Sequence, residues 1–596
     1  MTTRSFPALV PEGDLRGFTY NAGGRCRTSR IAPLETVIES AVQSGMTIHY
    51  PWLSTRASAA LFEVVRQARA GRLADLTIAS TSIRAEIALL VASRGVRRIV
   101  TSFAASSHPA IRPNPAFSRA LAEESIELEE WSLLAIVQRT LAGALGWPFV
   151  PATTMQGTDL PSGVREGLGT REVKDPFNHV DTLLMPALTP DVCLVHCPVA
   201  DWEGNGVLFE PLAEGVHPIY AATEGVVVTA DIVVSPDELR RWSGFVKVPA
   251  SRVIGLAQVP LGAHPNASHV PVGIGGVSGY GEDYDFHTEL GALRSEGDLE
   301  AFCQRWIDPP SRDSYLSQLG SERIKNLVTK DLDESWQVDW LAKPPSSAPT
   351  SAPSVGERLA VAGANALADL AHERAARTVI AGAGISSLAA ALGRIALLDA
   401  GIEVDLVFES GVVGYVPRPY DSTLSNTRNL PTARQLNSTL EVLGMLAQSE
   451  NTSTIAILAA GAVDQGGNAN SNRVVDGRFL VGGGGSTDIV GRVKTVVVVP
   501  ADARRFLRRV PFITYPGENV AAIATDVGVL AKSGDTYVLS TWFTDCANSV
   551  NAALDLIRDR IGWEVRAADT VRPIDPPRPD EREFLRMIDP EGNLLG

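Results

Sequence analysis

Residues Thr378 to Ser410 read TVIAGAGISSLAAALGRIALLDAGIEVDLVFES. A short β-rich apolar run opens onto Gly382-Ala383-Gly384, a long apolar helix pattern follows, and a second apolar strand ends in the carboxylate Glu409. That order is a β-α-β unit of a parallel sheet. The small residues Gly382, Gly384 and Ser387 sit where a dinucleotide fold places its tight turn, its close approach to pyrophosphate and its helix-strand contact, although the third is not glycine. Glu409 stands near the position of the acid that would hold a ribose hydroxyl. A flavin or nicotinamide oxidoreductase is therefore one reading of this stretch.

The residues beyond it argue for another. Glu409 runs into Gly411-Val-Val-Gly414-Tyr-Val-Pro417-Arg-Pro419. A ribose-binding acid needs only a strand end, whereas glycines and prolines shape a loop where a ligand approaches backbone closely. Further on, Val481-Gly-Gly483-Gly484-Gly485-Ser486-Thr-Asp488 puts a glycine run before a helix start. Such a run is either a flexible turn or a source of backbone N–H groups for an oxyanion or phosphate.

The whole chain has 596 residues, 45% hydrophobic and 20% charged, with a formal net charge of −15. That is enough apolar material for more than one buried core. An acidic chain without a Lys/Arg block is a poor nucleic-acid binder. Five scattered cysteines, Cys26, Cys193, Cys197, Cys303 and Cys546, do not read as a disulfide framework. The N-terminus has no signal-peptide pattern and no apolar run is long enough to span a membrane. A cytoplasmic protein without membrane contact is expected.

Lys343 to Glu357, KPPSSAPTSAPSVGE, lacks large apolar side chains and is expected to be a Pro/Ser/Ala-rich linker. It divides the chain into domains at 1–342 and 358–596. Both halves alternate β-branched runs with helical patterns. Asp191–Ala200, Glu224–Ser235, Ser453–Gly461 and Lys494–Pro500 are apolar on both faces, as strands of a parallel sheet covered on both sides are. The expected fold is α/β: two related open α/β domains with largely parallel sheets covered by helices. Relatedness is supported by Asp201-Trp-Glu-Gly204-Asn205 and Asp464-Gln-Gly-Gly467-Asn468, each just past a buried strand. Taken singly, each is an ordinary tight turn.

In this combination the sequence resembles the class I CoA-transferases of the glutaconate and 3-oxoacid kind, with their α and β halves fused. Ala381 to Ile385 resembles the glycine-rich first turn of the β half. Phe408-Glu409-Ser410-Gly411 resembles the catalytic glutamate motif, and Val481 to Asp488 the V-G-x-G-G-x-x-D loop. The paired D-x-x-G-N turns, Thr525 to Val529 and the tail Pro576 to Pro590 also fit. So do Pro260 to Pro265, with Gly262 and His264, and Trp147 to Leu160 in the first half. The resemblance implies an enzyme that moves CoA between an acyl-CoA and a carboxylic acid through a glutamyl-CoA thioester on Glu409. Glu409 would be the nucleophile. Gly382, Gly384, Gly411, Gly414, Gly483, Gly484 and Gly485 would line the oxyanion and CoA site. The family implies a homodimer or higher homo-oligomer, coenzyme A as substrate and no metal.

One departure stands out. Where the α half of such proteins carries a Gly-Gly pair after its first strand, this chain has Tyr50-Pro51-Trp52-Leu53-Ser54. Proline has no N–H to donate, which leaves Trp52 or Ser54 to supply that donor. Tyr50, Trp52, Ser54, Gly262 and His264 are the substrate-loop candidates. The pattern also resembles a branch of the superfamily that hydrolyses acyl-CoA or opens a ring by C–C cleavage without this glutamate. The presence of Glu409 favours transfer.

Other chemistry-bearing residues read as structural. Glu129 and Glu130 are expected in surface salt bridges, with an acid/base role as the alternative. Cys193 and Cys197 fall on one strand face and His196 on the other, the pattern of packed core cysteines rather than a metal site. Gly279 to Asp285 lacks an EF-hand pattern and is expected to be a substrate-facing loop or a turn. A G-x-S-x-G elbow is absent.

Overall fold

The computed structural model of the chain describes residues 30–152, 154–163, 169–271, 276–309, 311–329, 336–337, 352–418, 427–447 and 453–596. The first half is built on a nine-stranded sheet. Its parallel strands are β1 (Thr47–His49), β2 (Leu76–Ala79), β3 (Val96–Thr101), β4 (Glu127–Glu130), β5 (Val192–Asp201), β6 (Gly225–Val234) and β7 (Val253–Gln258). They lie in the order β7-β6-β5-β1-β2-β3-β4. The order turns back on itself between β1 and β5. Every residue of β5 is buried, which is why this strand reads as an unbroken apolar run instead of alternating.

The second half carries a ten-stranded sheet. Its first strands are β8 (Thr378–Ala381), β9 (Asp405–Val407), β10 (Val412–Tyr415), β11 (Thr454–Ala459), β12 (Lys494–Val498) and β13 (Val520–Ala524). β9-β8-β11-β12-β13 run parallel. The chain pairs β9 to one side of β8 and β11 to the other, so the order reverses between β8 and β11. Antiparallel strands flank this centre: β10 beyond β9, and Gly528–Ser533 and Thr536–Phe543 beyond β13. The sheet is thus parallel through its centre, as expected, with antiparallel strands toward its edges.

Helix α1 (Leu133–Ala144) follows β4 and is capped by Ser132, whose hydroxyl accepts from the Ala135 N–H. Helices α2 (Val355–Arg374) and α3 (Ile385–Asp399) pack on the second sheet, rich in Ala and Leu and almost wholly buried along the contact. Most of the expected linker lies outside the described residues. Its last residues do not belong to it. Ser354 and Glu357 form a reciprocal capping box that starts α2. Glu357 is fully buried, paired with Arg582 and Arg586, so the helix takes Val355–Glu357 from the segment expected to be linker.

The two halves share one apolar cluster. Trp52, Leu133, Leu134 and Val137 pack with Ile380, Val407, Leu443 and Ile489. Polar contacts cross as well. The Asp159 carboxylate accepts from the Ile513 N–H at 2.7 Å, and Glu130 accepts from Asn472 Nδ2 at 2.8 Å and pairs with Arg473. Among the described residues, no helix is long and apolar enough to cross a membrane.

Candidate active site

In an open α/β sheet, the crevice for a ligand lies outside the carboxyl ends of the strands, where the strand order reverses. Here two such edges meet. A pocket of about 120 Å³ takes Trp52 from beyond β1, Ser82 and Arg84 from beyond β2, Phe103 from beyond β3 and Leu133 from beyond β4. From the second half come Ala383 and Gly384 beyond β8, Phe408 and Glu409 beyond β9, and Gly484. Gly384, at φ +81°, turns the chain from β8 into α3, a left-handed conformation that glycine adopts without strain.

Glu409 is anchored by its neighbours. Phe408 is buried and stacks on Tyr415 with ring centroids 4.2 Å apart, and the Gly411 N–H closes a turn on the Phe408 carbonyl at 3.1 Å. The Glu409 carboxylate faces the pocket, and its Oε2 accepts from the Gly485 N–H at 3.1 Å. Burial pushes its carboxyl up to about 7, against the opposing pull of that N–H. A side chain at position 485 would run into the carboxylate.

The glycine loop is laced to the first half. The Ala104 N–H donates to the Val481 carbonyl at 2.9 Å, the Gly484 N–H to the Ser102 carbonyl at 3.0 Å, and the Leu133 N–H to the Gly484 carbonyl at 3.1 Å. Gly482, at φ +93°, lies so close to the Ser102 carbonyl that a Cβ would collide with it. At the end of the loop Asp488 accepts from the Ser132 hydroxyl at 2.6 Å and the Leu134 N–H at 2.9 Å. A carboxylate thus sits on the N-terminal turn of α1, where the helix offers free N–H groups. Burial pushes the Asp488 carboxyl up to about 7. The Ser132 and Leu134 bonds pull it down, and the Glu409 charge adds to the rise.

Not every expected site residue is at the pocket. Glu409, Gly384, Gly484 and Trp52 line it, and Gly485 touches Glu409. Gly382 packs on Leu458, and Gly483 on Thr514 and Thr487, behind the lining. Gly411 and Gly414 pack on Asn437 and Arg434 at the neighbouring strands. Ser54 lines a crevice of about 20 Å³ that shares Trp52 and Arg84 with the main pocket.

Tyr50, Gly262 and His264 are in the core instead. Tyr50 is wholly buried, with its hydroxyl 3.3 Å from Ser58 Oγ. The Gly262 N–H donates to Asp231 at 3.3 Å. His264 is wholly buried between Tyr315 and Asp283, at 2.7 and 2.9 Å. A loop sequence rich in polar and aromatic residues is legible without showing which way it faces. Trp52 keeps one further feature: its indole N–H is buried without an acceptor among the described residues.

Glu129 and Glu130 are buried, not on the surface. Glu129 accepts from the Trp131 indole at 2.7 Å, and Glu130 makes the cross-half bonds above. Cys193 and Cys197 are buried free thiols, while His196 bonds Thr229 and Asp231, both at 3.0 Å. In the Gly279–Asp285 segment, Tyr280 is buried and Asp283 caps a helix, so it is not a substrate-facing loop. Glu282 approaches the site through Arg84, and Tyr284 by stacking on His108 with ring centroids 4.4 Å apart. Arg84, Phe103, Leu133, Leu594 and the loop from Ser107 to Ile111 also line the pocket. Only Asp488 and Ser132 carried a local signal, the last acid of the glycine motif and a serine before an apolar helix.

Comparison with known proteins bears on the family and on the fold. Residues 32–249 match the family model described as Coenzyme A transferase. One of the subunits of glutaconate CoA-transferase from Acidaminococcus fermentans is 26% identical over 320 residues, covering 50% of this chain and 94% of that protein. One of the subunits of 3-oxoadipate CoA-transferase from Pseudomonas knackmussii is 28% identical over 145 residues, covering 24% of this chain and 49% of that protein. The structure of an acyl-CoA transferase of Escherichia coli O157:H7, YdiF, in its thioester complex with CoA, superposes with a TM-score of 0.64 over 94% of this chain and 97% of that one, at 14% identity, a likeness of fold. In sequence, the first half of the chain matches a family of enzymes, the coenzyme A transferases, and the fold likeness runs through both halves.

Proposed function

We propose that the chain moves coenzyme A from an acyl thioester to a carboxylic acid through Glu409. The observation that carries this reading is a carboxylate at a strand end, open to a carbon-lined pocket and touched by the Gly485 N–H at 3.1 Å. A Glu409 oxygen attacks the thioester carbonyl carbon, and collapse of the tetrahedral oxyanion breaks the C–S bond. The products are a mixed anhydride and CoA thiolate. The thiolate then attacks the Glu409 carbonyl, expels the acyl group as a free carboxylate and leaves a glutamyl-CoA thioester. An acceptor carboxylate reverses both steps and departs as its own CoA thioester. Covalent catalysis of this kind divides one difficult exchange into easier ones.

A carboxylate in a dry pocket is poorly hydrated, and donors fixed beside it are worth more than in water. The Gly485 N–H would follow the developing charge from the second half. The Trp52 indole N–H is the candidate donor from the first, in place of the N–H that Pro51 lacks. CoA contacts remote from the thioester would supply binding energy for the chemical steps. The domain division belongs to the same proposal: residues 1–342 and 358–596 act as α-like and β-like domains, and neither alone completes the pocket.

Incubation with a panel of acyl-CoAs followed by peptide mass spectrometry tests this. A CoA-sized adduct on the Glu409 peptide, absent from Glu409→Ala, is the expected result. Full transfer by Glu409→Ala overturns it, and CoA release without any adduct marks a hydrolase of the same fold.

A further inference from the structure

We propose that the acyl group accepted at this site is uncharged and apolar, and that Leu594 in the C-terminal tail limits its size. This rests on the CoA-transfer reading above and adds the substrate class to it. The walls around Glu409 are mostly carbon, from Trp52, Phe103, Ile111, Leu133, Phe408 and Leu594, with the neutral side chains of Ser82, Ser107 and Ser410 among them. The lining includes one cation among the described residues, Arg84, and its charge is already met. Both Glu282 oxygens lie 2.8 Å from Arg84 Nη1, in a pair with each side chain at least nine-tenths buried. A second carboxylate on an acyl chain would lose its hydration on entry. In return it would gain a share of a cation already neutralised and, at most, neutral serine donors, an exchange that costs more than it returns. The other ionisable group in the lining is Glu409, of the same sign. A hydrocarbon acyl group meets neither cost and gains by leaving water.

Leu594 is held as a wall by clamps on the backbone around it. The buried Asp589 carboxylate accepts N–H bonds from Asn593, Leu594 and Leu595 at 2.8 to 3.0 Å. The Ser354 hydroxyl donates to the Leu595 carbonyl at 2.6 Å. Leu595 itself is buried in the core beneath α2 and α3, and Gly356 at the start of α2 leaves no room between helix and tail. The tail also reaches the loop of the first half, where the Glu591 charge acts on His108, between the lining residues Ser107 and Pro109. The second half thereby closes the pocket on a side that the sheet edges leave open.

The test compares the rate of Glu409 adduct formation with 3-methylbutanoyl-CoA and cyclohexanecarbonyl-CoA against succinyl-CoA and glutaryl-CoA. The apolar thioesters should react at least about tenfold faster. Leu594→Ala should raise the ratio of the cyclohexanecarbonyl to the 3-methylbutanoyl rate roughly tenfold, and Leu594→Trp should lower it. Ile111→Ala, in the first half, repeats the enlargement if loss of Leu594 loosens the tail. Faster reaction of the dicarboxylyl thioesters, or a ratio unmoved by all three variants, overturns the proposal while leaving CoA transfer intact. If no acyl-CoA gives an adduct, the transfer reading fails. Calorimetry with free 3-methylbutanoate and succinate then decides the pocket alone, and tighter binding of succinate overturns it.

Discussion

In each half, the strand beside the first strand of the sheet ends at a polar side chain: Thr81 lies beyond β2, and Glu409 beyond β9. In the first half the corner is closed. The Thr81 N–H and hydroxyl both donate to Glu214, at 2.9 and 2.5 Å, and Glu214 lies 3.0 Å from His49, with both side chains buried. Burial alone would raise the Glu214 carboxyl, but His49 and Thr81 hold it below the ordinary range. In the second half the corner is open. Among the described residues no cation pairs with Glu409, which accepts from Gly485, and its carboxyl is raised instead. Similar topology thus yields a fully partnered structural carboxylate on one side and a pocket-facing carboxylate raised toward neutrality on the other. The sign of the shift follows the partners, not the burial.

Elsewhere the halves stay alike. Asp201 Oδ1 accepts from the Gly204 and Asn205 N–H groups, and Asp464 Oδ1 from those of Gly466 and Asn468. Asn205 Oδ1 then accepts from the Ala250 N–H, and Asn468 Oδ1 from the Gly517 N–H, both at 3.0 Å. Each recipient opens a one-turn helix after a proline, and each leads into the next parallel strand, β7 or β13. The scaffold is repeated down to its side-chain bonds, while the strand ends that face the pocket have diverged.

The contrast is most directly broken at Glu409. Glu409→Gln should reduce CoA transfer by at least about a thousandfold, as loss of a nucleophile does, measured as steady-state turnover. Equal loss in Thr81→Val would show that the open and closed corners share the chemistry. Next, Gly485→Ala puts a methyl group where the carboxylate lies and should lower kcat roughly a hundredfold with the fold retained by circular dichroism. Trp52→Phe keeps the ring but removes the indole N–H, and should cost about tenfold in kcat. An unchanged kcat would leave the first half without a side-chain donor at this position.

The paired turns predict equal effects. Asn205→Ala and Asn468→Ala each remove the same bonds and should each destabilise by roughly 1 to 3 kcal/mol in denaturant titrations. A clear inequality would mean that the repeat is only geometric. The smallest effect is on pH. A Glu409 carboxyl raised to about 7 means that the adduct should form more slowly as pH falls below neutrality and level off above it. A raised carboxyl binds its proton more tightly in the folded state. Its stabilising contribution is therefore full below the unfolded value near 4.5 and is lost as pH rises through about 7. Glu409→Gln should flatten that part of the stability profile.

Much of this was legible locally. The Thr378–Ser410 unit, the buried parallel strands and the two D-x-x-G-N turns follow from side-chain period and turn chemistry, which act over a few residues. Glu409 was legible for the same reason, as an acid at a strand end followed by glycines. The tightly packed glycines at 411 and 414 show the limit of that reasoning, since close approach to another strand and close approach to a ligand select the same residue. Tyr50 and His264 failed in the same way: a polar aromatic tip reads alike whether it faces a pocket or a buried partner.

What one chain segment says about itself therefore extends to the order of elements, the class of fold and the acid that stands at the strand end. That the carboxyl edges of two sheets meet is another matter. So are the rise of the Glu409 carboxyl toward neutrality, the docking of Asp488 on a helix more than three hundred residues earlier and the wall formed by Leu594. Each depends on groups brought together from distant parts of the chain. Such contacts leave no periodic trace in the sequence, and desolvation is a property of the assembled surroundings, not of the residue that feels it.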